Sequence, residues 1–242
     1  MTAGSTPTVV FLLDVDNTLL DNDRIIADLR RHLEDEFGRA SADQYWTGFE
    51  ALRTELGYAD YLGALQRFRL ALEGRDLDER QLPLMSSFVL DYPFAARVYP
   101  RALEVLAHLA ARGLTVILSD GDAVFQPRKV QRSGLWHAVD GRVLIYIHKE
   151  RMLDAMQRRY PADHYVMVDD KLRILAAMKK ILGQRLTTVF VRQGHYALDP
   201  TTIADYPAAD LMIECIGDLA ALDFDLRLHT PHLTAQSRPG KS

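Results

Sequence analysis

From residue 9 to residue 18 the chain reads VVFLLDVDNT, which is five apolar residues followed by two aspartates separated by one valine. A continuous apolar run of this length is typical of a strand that is buried on both faces of a parallel sheet. In open α/β sheets, ligands bind beyond the carboxyl ends of the strands. The sequence therefore predicts that Asp14 and Asp16 lie where such a sheet binds its ligand.

Five further apolar runs predict the remaining strands of this sheet. They are Thr115–Leu118, Val143–Ile147, Tyr165–Val168, Thr187–Val191 and Leu211–Ile216. Between several of them, apolar residues recur with a helical period, as in residues 103–110 and 174–181. Strands that alternate with helices indicate an α/β fold.

Residues 21 to about 96 interrupt this alternation and predict an all-helical insertion. A fourth helix is expected from Asp76 to Leu90, and no strand-like run occurs in this part of the sequence. The chain has 242 residues, which exceeds one layered domain but falls short of two full ones, and the insertion accounts for the surplus. The three stripes that predict the other helices are Ile26, Leu29, Leu33 and Phe37, then Tyr45, Phe49, Leu52 and Leu56, then Tyr61, Leu65, Phe68 and Leu72.

The domain organisation that follows has three parts. A core is predicted over residues 8–20 and 97–228, and a helical cap over residues 21–96. Residues 1–7 and 229–242 are polar and are predicted to be flexible termini.

Composition narrows the class of protein. The formal net charge of −4 argues against a protein that binds nucleic acid mainly through the phosphates. The single cysteine excludes an internal disulfide, and the eight histidines show no zinc-ligand spacing. The longest purely apolar run is too short to span a membrane, and no leader segment is evident. We therefore expect a soluble cytoplasmic protein, a monomer or homodimer, without nucleic-acid or membrane partners.

The spacing of Asp14 and Asp16 suits two kinds of chemistry. Carboxylates two residues apart beyond a buried strand lie close together but point differently, so they favour a hard cation or a nucleophile paired with an acid/base. The alternative is an aspartate turn in which Thr18 satisfies backbone groups.

Four motifs in this order resemble the haloacid dehalogenase superfamily, most closely its aspartate-nucleophile phosphatases. Asp14-Val15-Asp16-Asn17-Thr18 matches the first motif, and the strand ending in Ser119 matches the second. Lys149 corresponds to the basic third motif, and Asp169-Asp170 to the acidic fourth. The resemblance implies a Rossmann-like three-layer α/β/α core with a parallel sheet and an inserted α-helical cap over the active site.

The resemblance also implies a role for each motif residue. Asp14 is the expected nucleophile and Asp16 the expected general acid and base, with Ser119 and Lys149 completing the catalytic set. The cofactor is expected to be Mg²⁺, bound by Asp14, the backbone carbonyl of Asp16, Asp169 and Asp170. A small phosphorylated molecule is the expected partner, and the residues expected to bind it are Thr18, Ser119, Asp120 and Lys149.

The sequence departs from the family pattern at the fourth motif. Arg173 stands where a further aspartate is common, so Asp170 is expected to serve instead. Lys171 is expected to face solvent, and the alternative is that it approaches the phosphate. Each motif residue also has a structural alternative: Ser119 as a turn residue, Lys149 on a solvated helix start, and Asp169-Asp170 as helix caps. The segment 192–196 is a weaker candidate for the same edge of the sheet.

Two branches of the family fit poorly. A halide-cleaving member would lack Asp16, and a phosphonate-cleaving member would need a cap lysine, whereas residues 1–128 contain no lysine. The predicted function is a Mg²⁺-dependent phosphomonoester hydrolase that acts on a small phosphorylated metabolite through an aspartyl-phosphate. The alternatives are a receiver-like phospho-acceptor and a non-catalytic ligand-binding protein on the same fold.

Overall fold

The computed structural model describes residues 8–71 and 81–222. Within them, six parallel strands form one sheet in the order β3-β2-β1-β4-β5-β6. The strands are β1 (Val9–Leu13), β2 (Leu114–Asp120), β3 (Val143–Tyr146), β4 (His164–Asp169), β5 (Leu186–Val191) and β6 (Leu211–Ile213). All six predicted runs therefore form strands, and the predicted α/β fold with a Rossmann-like core is confirmed. The chain runs from β1 to β2 on one side and returns to β4 on the other, so β1 lies at the switch point where ligands bind.

Both faces of the sheet are buried, as the continuous apolar runs predict. In β1, Phe11 and Leu13 pack into one apolar cluster and Val10 and Leu12 into a second cluster on the opposite face. Successive side chains of a strand point to opposite faces, so a strand covered on both sides is apolar at every position.

The helices of the core follow the strands and cover these two faces. They are α5 (Ala102–Ala110), α6 (Phe125–Arg132), α7 (Leu135–Ala138), α8 (Leu153–Arg159), α9 (Leu172–Leu182), α10 (Gly194–Leu198) and α11 (Pro200–Ala204). Among the described residues, no helix is both long and apolar enough to cross a bilayer.

Within the described residues, the predicted insertion after β1 contains four helices that precede α5. They are α1 (Asn22–Phe37), α2 (Arg39–Leu56), α3 (Tyr61–Ala71) and α4 (Gln81–Asp91). Their buried faces share one apolar cluster with Phe11 and Leu13 of the sheet. The predicted contribution of Leu72, the predicted start of the fourth helix at Asp76 and both predicted flexible termini fall outside the described residues.

Some positions that the helical periods assign to the interior are exposed or only partly buried. Leu103 of α5 is 46% exposed and Ile181 of α9 is 61% exposed. In α5 the small residue Ala102 is fully buried in place of Leu103, and the buried face continues through Val105. The larger apolar side chain of Leu103 made it the expected core position, but the smaller Ala102 is the residue that is buried. Ile26 of α1 forms part of a cavity wall, described below.

A polar cluster fastens the inserted helices to the segment that returns to the core. Arg97 Nη2 lies 2.6 Å from Asp28 Oδ2, and Arg97 Nε donates to the Tyr92 hydroxyl at 2.6 Å. The Tyr92 hydroxyl also donates to Asp28. Burial by itself raises the pKa of Asp28, but the hydrogen bonds from Tyr92 and Arg97 and the charge of Arg97 lower it below its ordinary value.

We predict that Asp28→Asn destabilises the protein in a pH-dependent way. A carboxyl whose folded pKa is lowered contributes stability that is present above its unfolded pKa, near 4, and is lost as the pH falls through the folded value. In urea unfolding at pH 7, the free energy of unfolding should fall by about 1–3 kcal/mol relative to the wild type, and this difference should be smaller at pH 3. The exposed control Asp43→Asn should have the same free energy of unfolding as the wild type at pH 7 and at pH 3. A loss independent of pH would contradict the charge-based explanation.

Candidate active site

Parallel pairing brings the predicted motif residues to one edge of the sheet. Leu13 of β1 pairs with Ile117 of β2 and with Val168 of β4, so the residues that follow these three strand positions are neighbours. Asp14 directly follows β1, Ser119 stands near the end of β2, and Asp169 ends β4. The strand register therefore brings Ser119 and Asp169 close to Asp14, although each is more than one hundred residues from Asp14 in sequence.

Asp14 is buried in contact with two of the predicted partners. Its Oδ1 accepts a hydrogen bond from Lys149 Nζ and lies 3.5 Å from the Ser119 hydroxyl. Its backbone N–H donates to the carbonyl of Val168 at 3.0 Å, which fixes the start of the loop against β4. Asp14 is 2% exposed, and its Oδ2 has no hydrogen-bond partner among the described residues.

Three carboxylates at this edge form a site that could hold a metal ion. Asp14, Asp169 and Asp170 are buried, and each offers an oxygen within 4.8 Å of the others. Within the described parts of the chain, neither carboxylate oxygen of Asp170 has a hydrogen-bond partner. Buried carboxylates without partners are unfavourable unless a cation binds them, and an all-oxygen donor set suits a hard divalent ion. The residues present therefore fit a metal site.

The charges of these groups oppose and compensate one another. Burial raises the pKa of Asp169, with Lys149 lowering it and Asp14 raising it. Burial also raises the pKa of Asp170. Burial alone would lower the pKa of Lys149, but the carboxylates of Asp14 and Asp169 raise it, so this buried amine stays charged. Its Nζ lies 2.7 Å from Asp169 Oδ2.

Ser119 has a partner that the sequence did not reveal. Gln126, on the first turn of α6, donates from Nε2 to the Ser119 hydroxyl oxygen at 3.0 Å, and both side chains are buried. Gly121 makes room for this contact, because a Cβ there would lie 2.6 Å from the Gln126 side chain. The Gly121 N–H is engaged with the carbonyl of Tyr146 at 2.9 Å, so it holds the sheet edge.

The two acids that follow Ser119 are both turned toward backbone amides. Asp120 Oδ1 accepts from the backbone N–H of Lys149 at 2.7 Å, and Asp122 Oδ1 accepts from the N–H groups of Val124 and Phe125 at 2.7 and 2.6 Å. Asp122 thus satisfies two backbone N–H groups at the start of α6. Burial raises the pKa of Asp120 to about 6, although the charge and N–H of Lys149 lower it.

The Asp16 side chain is not one of the three carboxylates of this cluster. It is 25% exposed, and Oδ1 lies 2.7 Å from the Nζ of Lys129, a residue of α6. Thr18 is fully buried, and its carbonyl accepts from Gln193 Nε2 at 3.1 Å. Its hydroxyl has no hydrogen-bond partner among the described residues, and Thr18 is not part of the cavity wall described next.

A cavity of about 840 Å³ lies between the inserted helices and this edge of the sheet. The part of the cavity wall from the core includes acids, bases and Tyr196, and the part from the inserted segment includes four aromatic residues and two arginines. Asp16, Asp120, Lys171, Arg173, His148, His195 and Tyr196 line it from the core, and Ile26, Arg30, Trp46, Phe49, Arg53, Tyr58 and Tyr61 line it from the inserted helices. The predicted place of segment 192–196 at this edge of the sheet therefore agrees with the structure.

Several structural alternatives fail in this geometry. Lys149 is 1% exposed, so it is not a solvated residue at a helix start. Asp170 caps no helix, because α9 begins after Lys171 without a side-chain cap. The expectation that Lys171 faces solvent is wrong: it lines the cavity, with Nζ 4.0 Å from Asp170 Oδ1 and 5.1 Å from the Tyr196 ring centre. Arg173, which stands where a further aspartate is common in the family, forms an ion pair with Glu150, with Nη1 2.9 Å from Oε1.

A parallel sheet with buried carboxylates at its switch point and helices inserted above them is the arrangement of a capped α/β hydrolase. The sequence profile of the haloacid dehalogenase-like hydrolases matches residues 8–181. A crystal structure of a haloacid dehalogenase-like hydrolase from Burkholderia xenovorans LB400 is 66% identical, with a TM-score of 0.83. The match covers 90% of this chain and 100% of that one. The chain belongs to the haloacid dehalogenase-like hydrolases.

More distant structures share the fold. An L-2-haloacid dehalogenase from Xanthobacter autotrophicus with covalently bound chloropropionic acid is 19% identical, with a TM-score of 0.59 over 91% of this chain and 99% of that one. A HAD-hydrolase from Bacillus subtilis bound to magnesium is 17% identical, with a TM-score of 0.58 over 93% of this chain and 100% of that one. A search of curated proteins found no match.

We predict that Asp120→Asn stabilises the metal-free protein above pH 6. An acid whose pKa rises from 3.8 to about 6 on folding destabilises the folded state increasingly between these values, and fully above them. A shift of this size corresponds to about 3 kcal/mol as an upper bound. In urea unfolding with a chelator, the free energy of unfolding of the variant should exceed that of the wild type at pH 7.5 and approach it at pH 4. The exposed control Asp205→Asn should show no such gap, and equal midpoints for Asp120→Asn at pH 7.5 would contradict the prediction.

Proposed function

We propose that this hydrolase is a Mg²⁺-dependent phosphomonoesterase that acts on a small phosphorylated metabolite through an aspartyl-phosphate. The observation that carries the proposal is the pair formed by Asp14 and Asp16. One carboxylate is buried beside Lys149, and the other faces the cavity two residues later. A displacement at phosphorus needs both a nucleophile and a group that transfers protons to and from the leaving oxygen.

The reaction would proceed in two steps. A carboxylate oxygen of Asp14 attacks phosphorus, the bond from phosphorus to the ester oxygen breaks, and that oxygen takes a proton from Asp16. Water then attacks phosphorus of the aspartyl-phosphate, Asp16 accepts its proton, and phosphate leaves with Asp14 restored. Ser119 would donate its hydroxyl hydrogen to a phosphoryl oxygen, and the ammonium of Lys149 would balance the negative charge.

The residues that would hold Mg²⁺ are Asp14, Asp169, Asp170 and the backbone carbonyl of Asp16. When bound, the ion supplies positive charge that stabilises phosphoryl oxygens during transfer. Support for this assignment comes from the carboxylate oxygens of Asp14 and Asp170 that lack hydrogen-bond partners among the described residues.

The cavity favours a small substrate. Its volume of about 840 Å³ lies within the range for small-molecule sites, and it is bounded by the inserted helices. The contacts that join these helices to the core beside the cavity include a hydrogen bond from Arg53 to the Tyr196 hydroxyl at 2.6 Å and one from the backbone N–H of His195 to Asp23 at 2.8 Å. A macromolecule would have to displace these contacts.

We predict that Asp14→Asn abolishes phosphate release. The amide is a much weaker nucleophile than the carboxylate, so turnover of an aryl phosphate with Mg²⁺ should fall on the order of 10³-fold or more. Asp43→Asn, an exposed change on α2, should retain the wild-type rate. Equal rates for the wild type and Asp14→Asn would refute the mechanism. Dechlorination of 2-chloropropionate without phosphatase activity would assign halide cleavage instead, and a durable phosphorylated Asp14 would assign a phospho-acceptor.

We predict that Mg²⁺ raises the thermal unfolding midpoint of the wild type and that Asp170→Asn removes most of this shift. A ligand at one hundred times its Kd stabilises the folded state by about 2.7 kcal/mol. Asp170 is buried with both oxygens unsatisfied within the described residues, so its charge gains most from a bound cation. The control Asp43→Asn should keep the full shift. A wild-type midpoint that does not respond to Mg²⁺ would refute the metal assignment, and the measurement needs no substrate.

A further inference from the structure

Lys129 is a buried amine that the four sequence motifs do not include. It lies on α6, its side chain is 1% exposed, and its Nζ lies 5.0 Å from the centre of the Phe125 ring. Nζ donates to Asp16 Oδ1 at 2.7 Å and to Asn22 Oδ1 at 2.9 Å. A buried ammonium is strongly unfavourable without a counter-ion, and among the described residues the carboxylate that pairs with Lys129 is Asp16.

The two groups that Lys129 binds belong to different parts of the site. Asp16 is in the loop after β1 and lines the cavity, whereas Asn22 is the first residue of α1, where the inserted helices begin. A second set of bonds joins the same two segments, because Asn17 Oδ1 accepts from the backbone N–H groups of Asn22 and Asp23 at 3.1 and 3.2 Å. The position of Asp16 is therefore tied to the base of the inserted helices.

We propose that Lys129 is a positioning residue that holds the Asp16 carboxylate at the cavity and ties its orientation to the start of α1 through Asn22. This inference rests on the proposed function, in which Asp16 transfers the proton. The ion pair uses Oδ1, so Oδ2 serves for exchange with the substrate oxygen and with water. Proton transfer requires heavy atoms about 2.6–3.2 Å apart, and a misplacement of about 1 Å costs on the order of 10²-fold.

Direct contact of Lys129 with substrate is the competing role, because Lys129 also lines the cavity. The two roles differ in what Asp16 has to do with the effect. A residue that binds substrate raises KM when it is removed, and it does so whether or not Asp16 is present. A residue that acts through Asp16 lowers kcat, and its removal has no further effect once Asp16 is replaced.

The test is a cycle of variants assayed with phenyl phosphate and Mg²⁺. Lys129→Met should lower kcat about 10- to 100-fold with KM within about threefold, and Lys129→Arg should recover part of kcat. In the Asp16→Asn background, Lys129→Met should change kcat less than about twofold. The matched control Lys180→Met, on the exposed face of α9, should match the wild type. An equal loss in both backgrounds, or a rise in KM alone, would overturn the proposal.

Thermal unfolding of the same variants tests the ion pair without a substrate. Asp16→Asn leaves the buried amine of Lys129 without its counter-ion, so adding Lys129→Met should raise the unfolding midpoint of that variant. Additive midpoint shifts would overturn the inference even if phosphatase activity is found. A wild type that hydrolyses no phosphomonoester would overturn the proposed function and the acid/base role, while the unfolding cycle would still decide whether Lys129 holds Asp16.

Discussion

Negative charge buried at the switch point of the sheet is the constraint on which the rest of this site depends. Asp14, Asp169 and Asp170 stand together at the ends of β1 and β4 with almost no exposure. Carboxylates in such a position are unfavourable unless cations compensate them. Lys149 is buried and pairs with this negative charge. Lys171 lies near Asp170 and lines the cavity, although its position after the acidic pair predicted that it would face solvent.

The same constraint links folding to chemistry. The fold tolerates these unsatisfied carboxylate oxygens because the parallel sheet around them buries apolar side chains on both faces. A scaffold of this kind holds catalytic groups in place before a substrate arrives. The raised pKa of Asp120 belongs to the same pattern, because burial and the nearby charges of Asp14 and Asp169 raise it by more than the N–H and ammonium of Lys149 lower it. Stability is therefore lower at the edge of the sheet where reactivity is expected.

The inserted helices add the part of the site that selects a ligand. Their aromatic residues have two roles at once: Trp46 and Tyr61 are buried among the helices, and they also form the cavity wall. Helical periodicity predicted the burial of Tyr61, and the tertiary structure places both Tyr61 and Trp46 at the cavity. Hydrogen bonds of Arg53 and Asp23 with the segment after β5 hold the inserted helices in position against the core.

The sequence by itself determined the sheet, its helical insertion and the strand-end residues. Burial on both faces leaves an uninterrupted apolar run, and a polar residue directly after that run, such as Asp14 or Asp169, must lie at the ligand-binding edge. The tertiary structure alone decided the partners of those residues. Gln126 and Lys129 occupy ordinary positions in a short polar helix, and Leu103 looks like a better core residue than Ala102. The burial of Ala102, Gln126 and Lys129 depends on how α5 packs against β2 and α7 and how α6 packs against α4 and α7. Such packing between segments distant in sequence leaves no periodic signal in the chain.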